Sequence, residues 1–481
     1  MRTVLIKVLG EEYLGLSSLF SSILQVLNLA DLGFSTAIVY NMYEPISKGD
    51  DNIICALLNL YKKIYTGIGL IILAVGLCLC PFLDKFISGS YPEELNLTVL
   101  YLMYLFNTVI SYTCFAHRKS LLSAFQRSDI VDNINSIIQL VLDLIKIVLL
   151  ILIKSYYIYV IFIPIITLIG SIVTAVVSYK MYPQYKCVGK VDNEIQKSIL
   201  KRVTGLTIQR FGNTISTSLD SIVISSFLGL SLLAIYSNYF YIVSSLGAFV
   251  WVCIASTTAG LGNSIVTQSI EKNYEVFKKL NILNQWTICW CVPCLLCLYQ
   301  HFMRIWVGEG LMAGMDLVLC MTVYFIAYEV RRVVLVFKDA CGMWWADKWK
   351  PLVGCIINLA LNITLVQTIG IVGVIISTIV SYLFIEMPWE THVLFKIYFK
   401  KSEWGYYKDL LCYLAVITLG AALSWCICSL LPESGIVFFV LKGILCFFIA
   451  NVLFFIAFHK KEEFEQVKNM VGGVIQRVKK R

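Results

Sequence analysis

Four polar side chains, Arg210, Asn213, Thr217 and Asp220, interrupt an otherwise apolar run, TGLTIQRFGNTISTSLDSIVISSFLGLS, from Thr204 to Ser231. Their steps of three, four and three place them on one face of a helix long enough to cross a bilayer. An ionised Asp or Arg near the bilayer centre costs roughly 2.5–3.5 kcal/mol, so such residues mark a hydrated pathway, an ion site or a partner charge. Arg210 and Asp220 lie about 15 Å apart along a helix and cannot neutralise each other. Each must draw on another span or on water. The structural alternative is an Arg snorkelling to the cytoplasmic end and an isolated polar contact between helices.

A second constellation lies downstream. Asn358 and Asn362 are four apart on one helix face, and Val374 and Thr378 are four apart on the next span. Hard cations such as Na⁺ take oxygen ligands from carboxylates, amides, carbonyls and hydroxyls, which these positions supply together with Asp220. The competing reading is that the two Asn only hydrogen-bond to neighbouring helices. Asp143 and Lys146, three apart, read as a local ion pair. Glu386 and Glu390 stand where a span reaches the cytoplasm, and Lys442 in the final helix pair either faces a bound lipid tail or, the favoured reading, snorkels. The chain holds 17 cysteines, nearly all within apolar spans, where free Cys acts as a small hydrophobe. Cys289, Cys291, Cys294 and Cys297 have the spacing of a metal cluster but no nearby His or carboxylate, and read as packing residues. No metal is expected, and no Ser-His-Asp set or nucleotide loop is present.

The elements that must position these residues follow from composition. With 59% hydrophobic and 14% charged residues over 481 positions, and a mean hydropathy of +0.79, no soluble domain is left. The class is an all-α polytopic membrane protein. Apolar stretches give about thirteen transmembrane helices, near 14–40, 64–87, 95–116, 134–153, 156–179, 204–228, 232–262, 282–302, 311–330, 351–369, 371–389, 409–431 and 436–458. Basic connections alternate with bare ones, which puts the C-terminus in the cytoplasm. The net charge of +9 is thus an orientation signal, and no soluble basic face exists for nucleic acid. Trp344, Trp345 and Trp349 fit an interfacial belt. From Glu462 the tail spaces Phe464, Val467, Val471, Val474 and Val478 as an amphipathic helix on the inner leaflet would.

Leu14-Gly15-Leu16-Ser17 recurs as Leu228-Gly229-Leu230-Ser231, an offset at which Gly33 falls on Gly247. Two six-helix halves joined by a basic linker account for this as parallel repeats. The repeat unit asks for a further helix before residue 14, of which Arg2 to Gly10 would be the last turns. LGEEYLGLSSLFSSILQVLNLADLGFSTAIVYNMYEPISKGD, followed by IVISSFLGL and SLLAIYSNY, resembles the Wzx-type polysaccharide flippases of the multidrug/oligosaccharidyl-lipid/polysaccharide (MOP) exporter superfamily. The resemblance covers nearly the whole chain. It implies a fourteen-helix, two-lobed architecture, here lacking most of the first helix. The expected domains are an N-lobe of five full spans and a helix remnant at 1–180, a cytoplasmic linker at 181–203, a six-span C-lobe at 204–400, and a final helix pair with its tail at 401–481.

The resemblance also implies the work: moving undecaprenyl-diphosphate-linked oligosaccharides from the inner to the outer leaflet by alternating access, in a bacterial cell membrane. Arg210 is then the candidate diphosphate ligand, because a guanidinium offers planar, charge-assisted donors. Gln25, Asn28 and Asn213 are candidate sugar-hydroxyl partners, and Thr217 shares their cavity. Asp31, near the inner end of its span, either joins them or is a helix-end charge. Asp220, Asn358, Asn362, Val374 and Thr378 are spaced like the cation site of the related lipid II flippases, with Asn362 where those have Asp. No cofactor is expected beyond Na⁺ or H⁺ as coupling ion, and the expected partners are the bilayer, the lipid-linked glycan, and the polymerase and glycosyltransferases of its pathway. The rival readings are a cation-coupled drug exporter of the same superfamily and a membrane polysaccharide polymerase or ligase. The polymerase reading lacks a large external loop, since the longest outer connection is roughly Asp84 to Glu94. In a flippase-deleted, glycan-deficient cell, Asp220→Ala and Arg210→Ala are each expected to abolish export while Cys294→Ala is not. Export that survives both of the first two substitutions would refute the role given to the stripe.

Overall fold

A chain without water around its backbone must satisfy every N–H and C=O internally, and each regular element described is a helix. The computed structural model describes residues 1–28, 34–89, 91–192, 196–197, 218–432 and 435–469. Among these, eight helical runs are long and apolar enough to span a membrane. The number is nine if a pair bent by 48°, Leu97–Thr113 and Ala116–Ala124, forms one span. The chain groups into two units, Met1–Ala234 and Ile235–Arg481. Their boundary lies beyond the 181–203 linker at which the repeat divides the sequence.

The first unit contains α1 (Arg2–Val8), α2 (Glu11–Leu27), α3 (Phe34–Lys48), α4 (Asp51–Leu79), α5 (Leu97–Thr113), α6 (Ala116–Ala124), α7 (Ser128–Ile153), α8 (Tyr156–Met181) and α9 (Ser218–Leu228). Asp50 and Asn96 cap α4 and α5 by accepting from the backbone N–H of Ile53 and Val99, each at 3.1 Å. The bend between α5 and α6 falls at Phe115, which takes the left-handed φ of +60°. Lys146 and Asp143 pair at 2.7 Å along α7, as their spacing predicts, with Lys146 buried. The two Leu-Gly-Leu-Ser copies meet. A Cβ on Gly15 would stand 2.2 Å from the Leu230 carbonyl oxygen, so only glycine lets α2 approach this closely. Ser225 on α9 fastens the same region by donating to the Phe86 carbonyl at 2.7 Å and accepting from the Ser88 N–H at 2.9 Å.

In the second unit α10 (Leu230–Thr267, begun in the first), α11 (Ile270–Trp306), α12 (Met315–Glu329) and α13 (Arg332–Ala340) lead to α14 (Lys350–Val380). The last is two helices. Gly370, at φ +61° and ψ −139°, breaks the run where the sequence separates spans 351–369 and 371–389. The halves fold back closely enough that a Cβ on Gly373 would lie 2.5 Å from the Leu365 carbonyl oxygen. The helix continues through π-helical turns at Ser381–Glu386 and Leu394–Phe399 on either side of α15 (Met387–Val393). Pro388 lies at the start of α15, where its missing N–H removes an i→i−4 bond and a wider turn relieves the clash. α16 (Trp404–Cys428) and α17 (Ile436–Phe458) pack on α11.

Two expectations are corrected. Lys442 does not snorkel: it is 4% exposed, because α17 turns that face toward the unit rather than toward lipid. The tail does not present Phe464 and Val467 to the inner leaflet. Both are buried, and Phe464 packs edge-on against Trp286, whose indole donates to Asn451 at 2.9 Å. Adding a leucine side chain at Gly373 should overpack the hairpin at a cost of about 1–3 kcal/mol. Gly373→Leu is therefore expected to lower the thermal unfolding midpoint of the detergent-solubilised protein, whereas Gly67→Leu, which meets open space, leaves it unchanged.

Candidate functional site

The break at Gly370 sets the first half of α14 against the second. It brings the predicted amides to the predicted hydroxyl, all four positions being at most 1% exposed. The Asn362 amide donates to Asn358 Oδ1 at 3.2 Å, and the Asn358 amide donates to Thr378 Oγ1 at 2.9 Å. The Thr378 hydroxyl donates to the Val374 carbonyl at 3.3 Å. An amide oxygen, a hydroxyl and a main-chain carbonyl thus share one dry locus, the donor set that a hard cation takes. Asp220 lies in the first unit, on α9, and is 3% exposed.

Of the residues assigned to the substrate cavity, Arg210, Asn213, Thr217 and Asp31 lie outside the described residues. Gln25 is exposed on α2. Asn28 follows the last turn of α2, half-buried, and its side-chain oxygen is shut off from water without a hydrogen-bond partner among the described residues. Its main-chain carbonyl accepts from the Tyr112 hydroxyl at 3.5 Å. The first unit also contains a half-open cavity of about 520 Å³, lined in part by Tyr61, Tyr112, Lys119, Asn135, Gln139 and Thr174. The sequence reading did not find it, because its walls come from α4 to α8 and share no spacing.

The larger omission is a buried ionic network in the second unit. Arg331 grips Glu390 with two bonds, at 3.1 and 2.8 Å, and also reaches Glu386 at 2.5 Å. Lys350 bonds Glu390 and lies 3.8 Å from Glu386; Lys338 bonds Asp347. All six side chains are at most 4% exposed, and three cations balance three carboxylates. Beside them Arg332 pairs with Glu329 and donates to the Gly247 carbonyl at 3.3 Å. Gly247 has no side chain to fill the space the pair occupies. Glu386 and Glu390, expected where a span reaches the cytoplasm, are buried ion-pair partners. Their four-residue spacing in an apolar segment, and the adjacent arginines at the end of another, were the available signals.

Residues 1–259 match the family described as polysaccharide biosynthesis protein, which is more than half of the chain. The chain belongs to that family. No curated protein matches the sequence significantly. Among solved structures, this polysaccharide biosynthesis protein is similar to the lipid II flippase MurJ in an inward closed conformation. The TM-score is 0.63 and the identity 18%, covering 94% of this chain and 95% of that one. It is also similar to an inward-facing multidrug resistance MATE family transporter of the MOP superfamily, with a TM-score of 0.63 and 14% identity over 81% of this chain and 90% of that one. The fold is thus one shared with a flippase and a transporter, and the span-length apolar helices make the chain a multi-pass membrane protein.

Removing one partner from a buried ion pair costs about 3–5 kcal/mol, because the other charge stays behind unpaired. Arg331→Met is thus expected to destabilise the second unit strongly. The double variant Arg331→Met/Glu386→Gln, which restores neutrality, should recover much of the loss in a thermal-unfolding comparison.

Proposed function

We propose that this protein moves undecaprenyl-diphosphate-linked oligosaccharide repeat units from the inner to the outer leaflet of a bacterial plasma membrane, by alternating access coupled to Na⁺ or H⁺. The glycan then serves capsule, exopolysaccharide or O-chain assembly, between the glycosyltransferases that build it and the polymerase that consumes it. The observation that carries this reading is the family match over the first 259 residues, joined to a fold shared along nearly the full chain with a lipid II flippase. The C-terminus is cytoplasmic on the alternation of basic and bare connections.

In this scheme Arg210 holds the diphosphate, with Asn213, Thr217, Gln25 and Asn28 on the sugar hydroxyls and Asp31 at the inner end of the same cavity. The Asn358–Asn362–Thr378 locus and the Val374 carbonyl, with Asp220, take the coupling ion. Neutral oxygen donors suit Na⁺, whereas H⁺ coupling would run through Asp220, the titratable member of the set. Asn362 in place of an acid lowers the site's charge and hence its hold on a cation.

A second reading, cation-coupled drug export, is supported by the MATE transporter's equal TM-score. Complementation separates the two. In a flippase-deleted cell the chain is expected to restore surface glycan, and Asn358→Ala or Thr378→Val to abolish rescue at unchanged protein level. Asn362→Asp is expected to restore rescue at lower Na⁺. Raised drug resistance in an exporter-deficient host, with no glycan rescue, would favour the second reading instead.

A further inference from the structure

Two cysteines of the α11 run, Cys294 and Cys297, are three residues apart and share a helix face. The tertiary fold brings two more from distant sequence against that face: Cys428 at the end of α16 and Cys446 inside α17. The sulfurs of Cys297, Cys428 and Cys446 all lie within 4.8 Å of one another, and those of Cys428 and Cys446 are 3.7 Å apart. Cys294 packs against the trio from the rim. Tetrahedral coordination with metal–sulfur bonds of about 2.3 Å requires sulfurs about 3.8 Å apart, so the spacing needs little adjustment to hold an ion.

Charge supplies an independent observation. Lys442, one turn before Cys446 on α17, is 4% exposed and has no carboxylate partner among the described residues. It lies within Coulombic range of Cys428. A lysine buried this way needs a counter-charge, and the groups beside it able to become anionic are thiols.

We propose that Cys297, Cys428 and Cys446, with Cys294 at the rim, form a binding site for a thiophilic d¹⁰ cation, Zn²⁺ or Cu⁺, that staples α16 and α17 to α11. For Zn²⁺, three thiols lose three protons to solvent as three thiolates bind the ion. The complex then carries one net negative charge, which Lys442 balances. Cu⁺ reaches the same balance with two thiolates and two released protons. Soft thiolate ligands select these ions over Mg²⁺ or Ca²⁺. Cys289 and Cys291 take no part. Cys289 is directed to the Ala450 carbonyl at 3.7 Å.

The test uses the full chain, purified reduced in detergent and loaded with Zn²⁺ or, anaerobically, with Cu⁺, then desalted. About one equivalent of metal per chain should stay bound. Cys428→Ser/Cys446→Ser should lose it, and Cys412→Ser/Cys426→Ser, at exposed positions, should keep it. The arm that retains metal identifies the ion, and X-ray absorption should show a metal–sulfur shell near 2.3 Å. Should the serine pair fail to fold, protection carries the test in the unaltered chain: bound metal must shield Cys297, Cys428 and Cys446 from alkylation, read by mass spectrometry. The site is overturned by the absence of retained metal in folded protein, by equal retention in the serine pair, by unshielded cysteines, or by recovery of Cys428 and Cys446 as a disulfide.

Discussion

The second unit depends on neutralising charge that neither water nor lipid can reach. An isolated buried ion costs several kcal/mol even after relaxation, and mutual attraction offsets this only when geometry and hydrogen bonding are both good. Arg331 meets that demand with a fork that binds Glu390 twice and Glu386 once, while Lys350 donates to Glu390 Oε1, which it shares with Arg331. The π-helical turns on either side of α15 belong to the same requirement. They let a helix that contains Pro388 carry Tyr382, Glu386 and Glu390 on one side, where the Tyr382 ring also stacks under the Arg331 guanidinium at 4.5 Å. A network of this kind adds little net stability over apolar packing, but it penalises any arrangement that separates its members.

The amide–hydroxyl locus rests on a different constraint, the closeness of two backbones. Gly373 lets the second half of α14 touch the Leu365 carbonyl, and Gly354 admits Glu386 and Ser381, whose hydroxyl donates to the Gly354 carbonyl at 3.2 Å. With the hairpin zipped at these two points, Asn358 and Thr378 meet at hydrogen-bonding distance. The ionic network and the locus therefore share one scaffold, α14 with its π-helical extension. The network sits at one end of the hairpin, where Lys350 opens α14, and the amides lie further in.

The sequence was informative wherever one helix carried the whole signal. Composition excluded a soluble fold, and apolar length placed spans 156–179, 351–369 and 436–458 within two residues of the helices observed. The four-residue spacings of Asn358 with Asn362 and of Val374 with Thr378 named a cluster that the fold brings together. The repeated Leu-Gly-Leu-Ser marked two segments, although only the structure showed that they touch. The readings of Lys442 and of Phe464 and Val467 at the start of the tail did not hold, each for the same reason. Whether a polar or apolar side chain at a span end faces lipid, water or another helix depends on the neighbour, and the neighbour is not encoded within a window of one or two turns.

What the sequence determined by itself was class and periodicity, because these come from local thermodynamics: the cost of charge in hydrocarbon, the need to satisfy the backbone, and the pitch of the helix. What the tertiary structure decided was pairing at long range. Arg331 finds carboxylates 55 and 59 residues away, and Cys446 finds the Pro293 carbonyl 153 residues away. No periodicity connects such positions, since the contact free energy that joins them arises only once whole helices have docked.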